Sequence, residues 1–230
     1  MALMPYLAMT ASEILETGIV PEKLALISDP DSLDRLPGWI PAETVLLLTD
    51  ETALGQEHLD ALQRLTEAGR VSEVILDFQK PGDEITEDFT RLALKTLRCP
   101  VCVSQQYGQG LECPVLLPPA PPDESLEEYL LPWAGRGVWL EGALEKMKVT
   151  VTEGGAVSTP PRPWTGEKIG FRDENLCCHY SYSVTDKAEF CLWRTGEDLK
   201  RLLEKAEGEE FCRMICLFQE VGEIFLDNLP

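Results

Sequence analysis

Basic residues, histidine and long apolar runs are what this 230-residue chain has least of. Twenty Lys and Arg stand against forty Asp and Glu, a net charge of −20. A surface that negative repels phosphate backbones and anionic lipid, so neither nucleic acid nor a membrane is an expected partner. No stretch approaches the ~18 apolar residues of a membrane span. The opening "MALMPYLAMTASEILETG" has no Lys or Arg ahead of its apolar residues, and Pro5, Thr10, Ser12 and Glu13 break it, so it does not read as a secretory signal. The expected location is the cytoplasm.

Metal and cofactor motifs are equally sparse. His58 and His179 are the only histidines, and the one C-x-x-C, Cys99 to Cys102, has no second pair to complete a site. Cys102 also falls in a strand-like run, where residues three apart point to opposite faces, and so do the adjacent Cys177 and Cys178. The eight cysteines therefore read as small buried hydrophobes kept reduced, and no metal is expected. No strand is followed by G-x-G-x-x-G or by G-x-x-x-x-G-K-[ST], which argues against a nucleotide cofactor.

What is present is a chain 44% hydrophobic, enough to bury a full core as one α/β domain over 1–230. Strand-like runs occupy 5–9, 23–28, 44–50, 73–79, 100–107, 113–118, 137–141, 148–153, 176–184, 188–194 and 213–220. Several are continuously apolar, as in parallel sheets covered on both faces. Helical periodicity lies between them. Leu59, Leu62 and Leu65 share a face of 57–68; Phe89, Leu92, Ala93 and Leu97 share one of 86–98. Leu199, Leu202, Leu203 and Ala206 line 196–207, which Thr195 and Asp198 cap. A weaker helix, 123–131, follows the proline cluster 118–122.

Alternation through 44–107 and again at 188–220 argues for βαβ units. The stretch 148–184, with Gly-Gly and three prolines, reads as a hairpin or loop excursion inserted into them. With ~250 residues typical of an eight-stranded barrel, the expectation is a compact, irregular or degraded (β/α)8 TIM-like barrel; a doubly wound open sheet is the competitor.

The stretch "VILDFQ" carries the first site residues. Alternation puts Ile75, Asp77 and Gln79 on one strand face and Val74, Leu76 and Phe78 on the other, so Asp77 and Gln79 would rise at the barrel's C-terminal mouth. Asp50, Gln105 with Tyr107, Glu141, His179 to Tyr182, and Gln219 with Glu220 also end apolar strands and would complete a polar cup. Trp139 and Trp193 would supply an aromatic surface for sugars. A hydrolase triad of His179, Asp186 and Ser181 or Ser183 is disfavoured, because there is no G-x-S-x-G elbow.

The order of strand, D-F-x end, helix and "CPVCVSQQY", with the closing "FCLWRTGEDLKRLLEKAEGEEFCRMICLFQEVGE", resembles the chitinase-like family 18 glycoside hydrolases. The resemblance implies a barrel, and a fourth strand of pattern D-x-x-D-x-D-x-E whose final Glu is the general acid. Laid on this chain, those positions are Ser72, Ile75, Asp77 and Gln79, so only Asp77 survives. The tryptophan implied for the last strand would fall near Phe218 or Gln219. Gln79 has no transferable proton at neutral pH, and general acid catalysis is worth ~10²–10⁴ in rate. The expectation is a non-catalytic or catalytically altered protein that binds a glycan or small polar ligand through Asp77, Gln79, Gln105, Tyr107, Glu141 and Gln219. One alternative is an active hydrolase that uses the displaced carboxylates Asp77, Glu141 and Glu220. Another is an interaction or scaffold protein without a small-molecule site, its mouth plugged by the 148–184 excursion or by apolar side chains and an apolar patch lying elsewhere on its surface.

Overall fold

The computed structural model describes residues 3–80, 82, 84–152, 155–159, 170–185, 187–209 and 211–226. The prolines at 160–163 and Asp186, named above, lie outside them. Eight strands close a barrel: β1 (Tyr6–Thr10), β2 (Leu24–Ser28), β3 (Val45–Thr49), β4 (Glu73–Asp77), β5 (Val101–Ser104), β6 (Val115–Leu117), β7 (Val138–Gly142) and β13 (Cys212–Leu217). Every neighbouring pair is parallel, and β13 closes the ring on β1. This is a (β/α)8 TIM-like fold.

Its irregularity lies in the crossovers. Full helices follow β3, β4 and the last insertion: α2 (Gln56–Glu67), α3 (Glu84–Thr96) and α6 (Gly196–Gly208). A 3-10 turn at Pro30–Arg35 stands between β2 and β3. Only α4 (Gln105–Gly108) and α5 (Leu126–Leu130) follow β5 and β6. Two helices that periodicity did not announce, α1 (Ala11–Thr17) and α7 (Phe218–Leu226), start directly off β1 and β13. Thr10, read in the sequence only as a break, is the α1 N-cap and forms a capping box with Glu13. The apolar faces of α2 and α6 are buried as expected, whereas Leu92 of α3 faces solvent.

Alternation along the strands sorts the core into layers. Ala8, Ala25, Val45, Leu47, Ile75, Cys102, Leu116, Trp139 and Ile215 fill the lumen. Val74, Leu76 and Phe78 point outward to pack with α2 and α3, and Leu140, Met214 and Cys216 pack with α6 and α7. The lumen is sealed at its base. Trp139 Nε1 donates to Glu73 Oε1 at 2.8 Å, and Arg213 forks onto both Glu73 oxygens at 2.8 and 2.9 Å. The same guanidinium lies 4.2 Å over the Trp139 ring, which Tyr6 meets edge-on.

Between β7 and α6 the chain leaves the barrel to build a second sheet, broader than the 148–184 excursion read in the sequence. It runs β10 (Phe171–Asp173), β11 (Cys178–Val184), β12 (Ala188–Trp193), β8 (Lys146–Thr152), β9 (Gly155–Thr159), all antiparallel. The strand at 188–194 therefore belongs to this sheet and not to a βαβ unit. Two polar devices tie the sheet to the barrel. Asp198, fully buried at the start of α6, accepts from Thr195, from His179 Nδ1 at 2.8 Å and from Arg172 at 3.0 Å. Burial alone would raise its pKa, but the Thr195 N–H and hydroxyl and then His179 hold it below the ordinary range. Arg194, only 3% exposed, donates to the carbonyls of Ala120, Pro121, Leu176 and Cys177. That guanidinium has carbonyl dipoles around it where a carboxylate is usual, and it fastens the proline cluster to the sheet. Among the described residues no helix is long and apolar enough to cross a membrane.

Arg194→Met should leave those carbonyls buried without donors, each worth ~1–3 kcal/mol. The expected loss is at least ~3 kcal/mol in urea unfolding at constant m-value, with Arg194→Lys recovering part of it. A Met variant within ~0.5 kcal/mol of wild type would refute the anchoring role.

Candidate functional site

A cleft of about 330 Å³ opens at the C-terminal mouth of the barrel, lined by Ala8, Leu47, Asp77, Gln79, Pro119, Glu141, Gly142, Ala143, Glu145, Ile215, Cys216, Leu217 and Glu220. The strand period explains its make-up. In β4, Glu73 lies at the base, Ile75 in mid-lumen and Asp77 at the mouth; in β7, Trp139 lies low and Glu141 at the mouth. Gly142 permits this arrangement, because a Cβ there would come within 2.6 Å of Cys216 Sγ and 2.8 Å of Met214 Sδ. The floor is apolar, from Ala8, Leu47, Ile215 and Leu217, and the walls are acidic.

Gln79 lies beyond the end of β4, on a loop held from three sides. Ser104 Oγ donates to the Phe78 carbonyl at 2.8 Å. Gln106 Nε2 donates to the carbonyls of both Phe78 and Lys80, and Tyr107 Oη donates to that of Lys80 at 3.0 Å. On the far side, Lys80 N–H donates to Asp50 Oδ2 at 2.9 Å, and its ammonium reaches the Asp50 and Glu51 carbonyls. So fixed, the Gln79 amide donates to Asp77 Oδ1.

The electrostatics separate two carboxyls from the rest. Burial pushes Asp77 up; the Gln79 N–H draws it back and Asp50 adds to the rise. Burial, then Asp77, then Glu220 and Glu145, push Glu141 up to about 7. Among the described residues no hydrogen bond or ion pair engages the Glu141, Glu145 or Glu220 side chains, and no group of His, Cys, Asp and Glu could hold a metal ion.

The residues expected from sequence are thus divided. Asp77, Gln79, Glu141 and Glu220 meet in the cleft. Gln105 lines a smaller hollow of about 140 Å³ that shares Gln79 and Glu141 with it. Tyr107 packs on Phe78 outside the lumen and braces the 78–80 loop. Gln219 turns to Glu13, donating at 2.7 Å. β13 stops at Leu217, so Phe218, Gln219 and Glu220 open α7 where a strand end was expected. Trp139 is fully buried at the base and Trp193 stacks on His179, so neither lines the cleft. Glu145 was missed; it follows the end of β7 and no strand pattern marks it.

Comparison with known proteins agrees on architecture. No family model matches the chain, and no curated protein matches it. Among solved structures, it is similar to a family 18 chitinase from Cycas revoluta in complex with allosamidin, at 12% identity and TM-score 0.50 over 96% of this chain and 97% of that one. The Bacillus cereus spore cortex-lytic enzyme SleL matches at 10% identity and TM-score 0.46 over 84% of this chain. The chain spans 63% of that enzyme. At these identities the likeness is one of fold, a distant resemblance to the family 18 barrel.

The raised Glu141 pKa has a sign that can be checked. Its folded value, about 7, lies above its ordinary 4.5, so the stabilisation it gives is full below 4.5 and lost as pH rises through 7. At 1.36 kcal/mol per unit that is at most ~3 kcal/mol, less what partial solvation removes. Glu141→Gln should flatten the fall in urea-unfolding free energy between pH 4.5 and 8, and parallel curves for the two proteins would contradict the assignment.

Proposed function

We propose that the protein is a glycoside-hydrolase-like barrel that binds a glycan at its mouth and lacks the ordinary hydrolytic acid of the family 18 fold. The observation that carries this is Gln79, the amide at the acid's position, tied to the Asp77 carboxylate and lining a cleft with an apolar floor. Ala8, Leu47, Ile215 and Leu217 offer a surface to the C–H face of a sugar ring, and the carboxylates around them accept from its hydroxyls. The volume of about 330 Å³ suits a short saccharide. The likeness in fold to a chitinase supports an amino-sugar glycan as the first class to test. The eight free cysteines support a reducing, cytoplasmic setting.

One observation favours a second reading. Glu141, with a pKa of about 7 and in the same cleft as Asp77, has the proton affinity of a general acid working near neutrality. In that reading the protein remains an enzyme, with its acid moved from β4 to β7.

Three variants separate the readings. Asp77→Ala should weaken calorimetric binding of amino-sugar oligomers at least ~10-fold, since a buried charged hydrogen-bond partner is lost. Gln79→Glu should raise turnover of an aryl N-acetylglucosaminide by ~10²-fold or more over a near-zero wild type. Substantial wild-type turnover that Glu141→Gln abolishes would instead establish the displaced acid. A protein that binds no oligomer, before or after Asp77→Ala, is not a glycan binder.

A further inference from the structure

Among the described residues the acids at the mouth differ from the buried acids Glu73 and Asp198 in having no counter-charge. At the base, Glu73 has Arg213 and the Trp139 indole. At the sheet junction, Asp198 has Arg172 and His179. Along the cleft, Asp77, Glu141, Glu145 and Glu220 come from three places in the chain, and among the described residues that line it there is no Lys or Arg. Lys80, next to Gln79, turns its ammonium to the main-chain carbonyls of Asp50 and Glu51. Asp77 takes its hydrogen bond from a neutral amide. The part-buried Glu141 lines the cleft, with no hydrogen-bond donor from the described residues.

From this we infer that the cleft takes a positively charged, amine-bearing saccharide, a glucosamine-type unit, in preference to the neutral N-acetylated one. The inference rests on the glycan reading above and names the charge of the ligand within it. An apolar floor beneath a ring of carboxylates matches a sugar whose C–H face is flat and whose edge carries an ammonium. An ammonium placed between Asp77 and Glu141 gives Glu141 the donor it lacks, gives Asp77 a charged donor beside the neutral Gln79 amide, and relieves the repulsion among the four acids. An acetamido group at the same place brings one N–H and a carbonyl oxygen, and it carries no positive charge to relieve the repulsion among these acids. A ligand bearing a carboxylate or phosphate would meet like charge on every wall.

The test is calorimetric titration of the intact protein at pH 7 and low salt with the glucosamine tetramer and the N-acetylglucosamine tetramer, each repeated on Glu141→Gln and Glu145→Gln. Both substitutions preserve side-chain size, and a thermal melt confirms folding. The glucosamine tetramer is expected to bind at least ~10-fold tighter to wild type, and the gap should narrow severalfold in each variant. Its affinity should also fall with added salt, while that of the neutral tetramer holds. Equal affinity for the two tetramers, or a preference that both variants retain, overturns the inference. So does tighter binding of putrescine than of the glucosamine tetramer, which would make the cleft a bare cation site. Binding of the N-acetylated tetramer alone overturns it but leaves the glycan reading standing, and binding of neither tetramer removes both.

Discussion

The contact on which the rest depends crosses the lumen at the base of the barrel. Eight parallel strands closed into a ring leave an interior that side chains must fill, and small ones, such as Ala8, Ala25 and Cys102, occupy much of it here. Trp139 is the largest of the side chains that fill the rest, beside Val45, Leu47, Ile75, Leu116 and Ile215. Burying an indole obliges its N–H to find an acceptor, and Glu73 of β4 provides one. A buried carboxylate then needs a cation, which Arg213 provides while covering the ring. Three strands are thereby fixed in register by one polar cluster. Because side chains alternate strictly, fixing Glu73 and Trp139 inward also fixes Asp77 and Glu141 inward, two and one repeats higher. The inward orientation of Asp77 and Glu141 at the mouth thus follows from the register set at the base.

The inserted sheet is joined to the proline cluster at the mouth by Arg194 and, beside it, by Cys178, whose thiol lies 3.3 Å from the Pro122 carbonyl. Arg194 closes β12 and holds the carbonyls of Ala120 and Pro121, and the neighbouring Pro119 lines the cleft. Proline-rich backbone has few N–H donors of its own, so its carbonyls look elsewhere for partners, and one buried guanidinium satisfies several at once. The excursion that interrupts the barrel therefore helps to shape the opening. The rival view in which it plugs the mouth finds no support in the described residues, since none of those lining the cleft comes from β8 to β12.

How much of this was legible in the sequence depended on whether a boundary carried a chemical mark. Period two in 73–79 placed Asp77 and Gln79 on the lumen side, and Thr195 with Asp198 marked the start of α6. No such mark separates β13 from α7. "MICLF" is apolar throughout, and the change from strand to helix at Leu217 passes without Gly or Pro, so the Gln219 and Glu220 that follow were read as a strand end. The same ambiguity extended β5 over Gln105 and Tyr107. β12 looked like a barrel strand because its own sequence says nothing of whether its partners run parallel or antiparallel. Trp139 was assigned to a sugar surface although it lies early in its strand, nearer the base than the mouth. Glu145 became visible only when the ends of β7 and β13 were brought together in space.

Gln79 is best understood through what an acid would do in its place. A fifth carboxyl beside Asp77, Glu141, Glu145 and Glu220 would add to the burial and repulsion that already lift Glu141 to about 7. A proton donor could be kept at position 79 only by leaving that site protonated, as a general acid requires. The amide does the opposite: its N–H favours the charged form of Asp77 and offers no proton to a leaving group. The backbone on either side of it is clamped by Ser104, Gln106, Tyr107 and Asp50, while the exposed side chain itself is held by its hydrogen bond to Asp77. Such clamping is costly in conformational entropy for a residue with nothing to do. It is economical for one that keeps an anion charged and in place to meet the edge of a bound sugar.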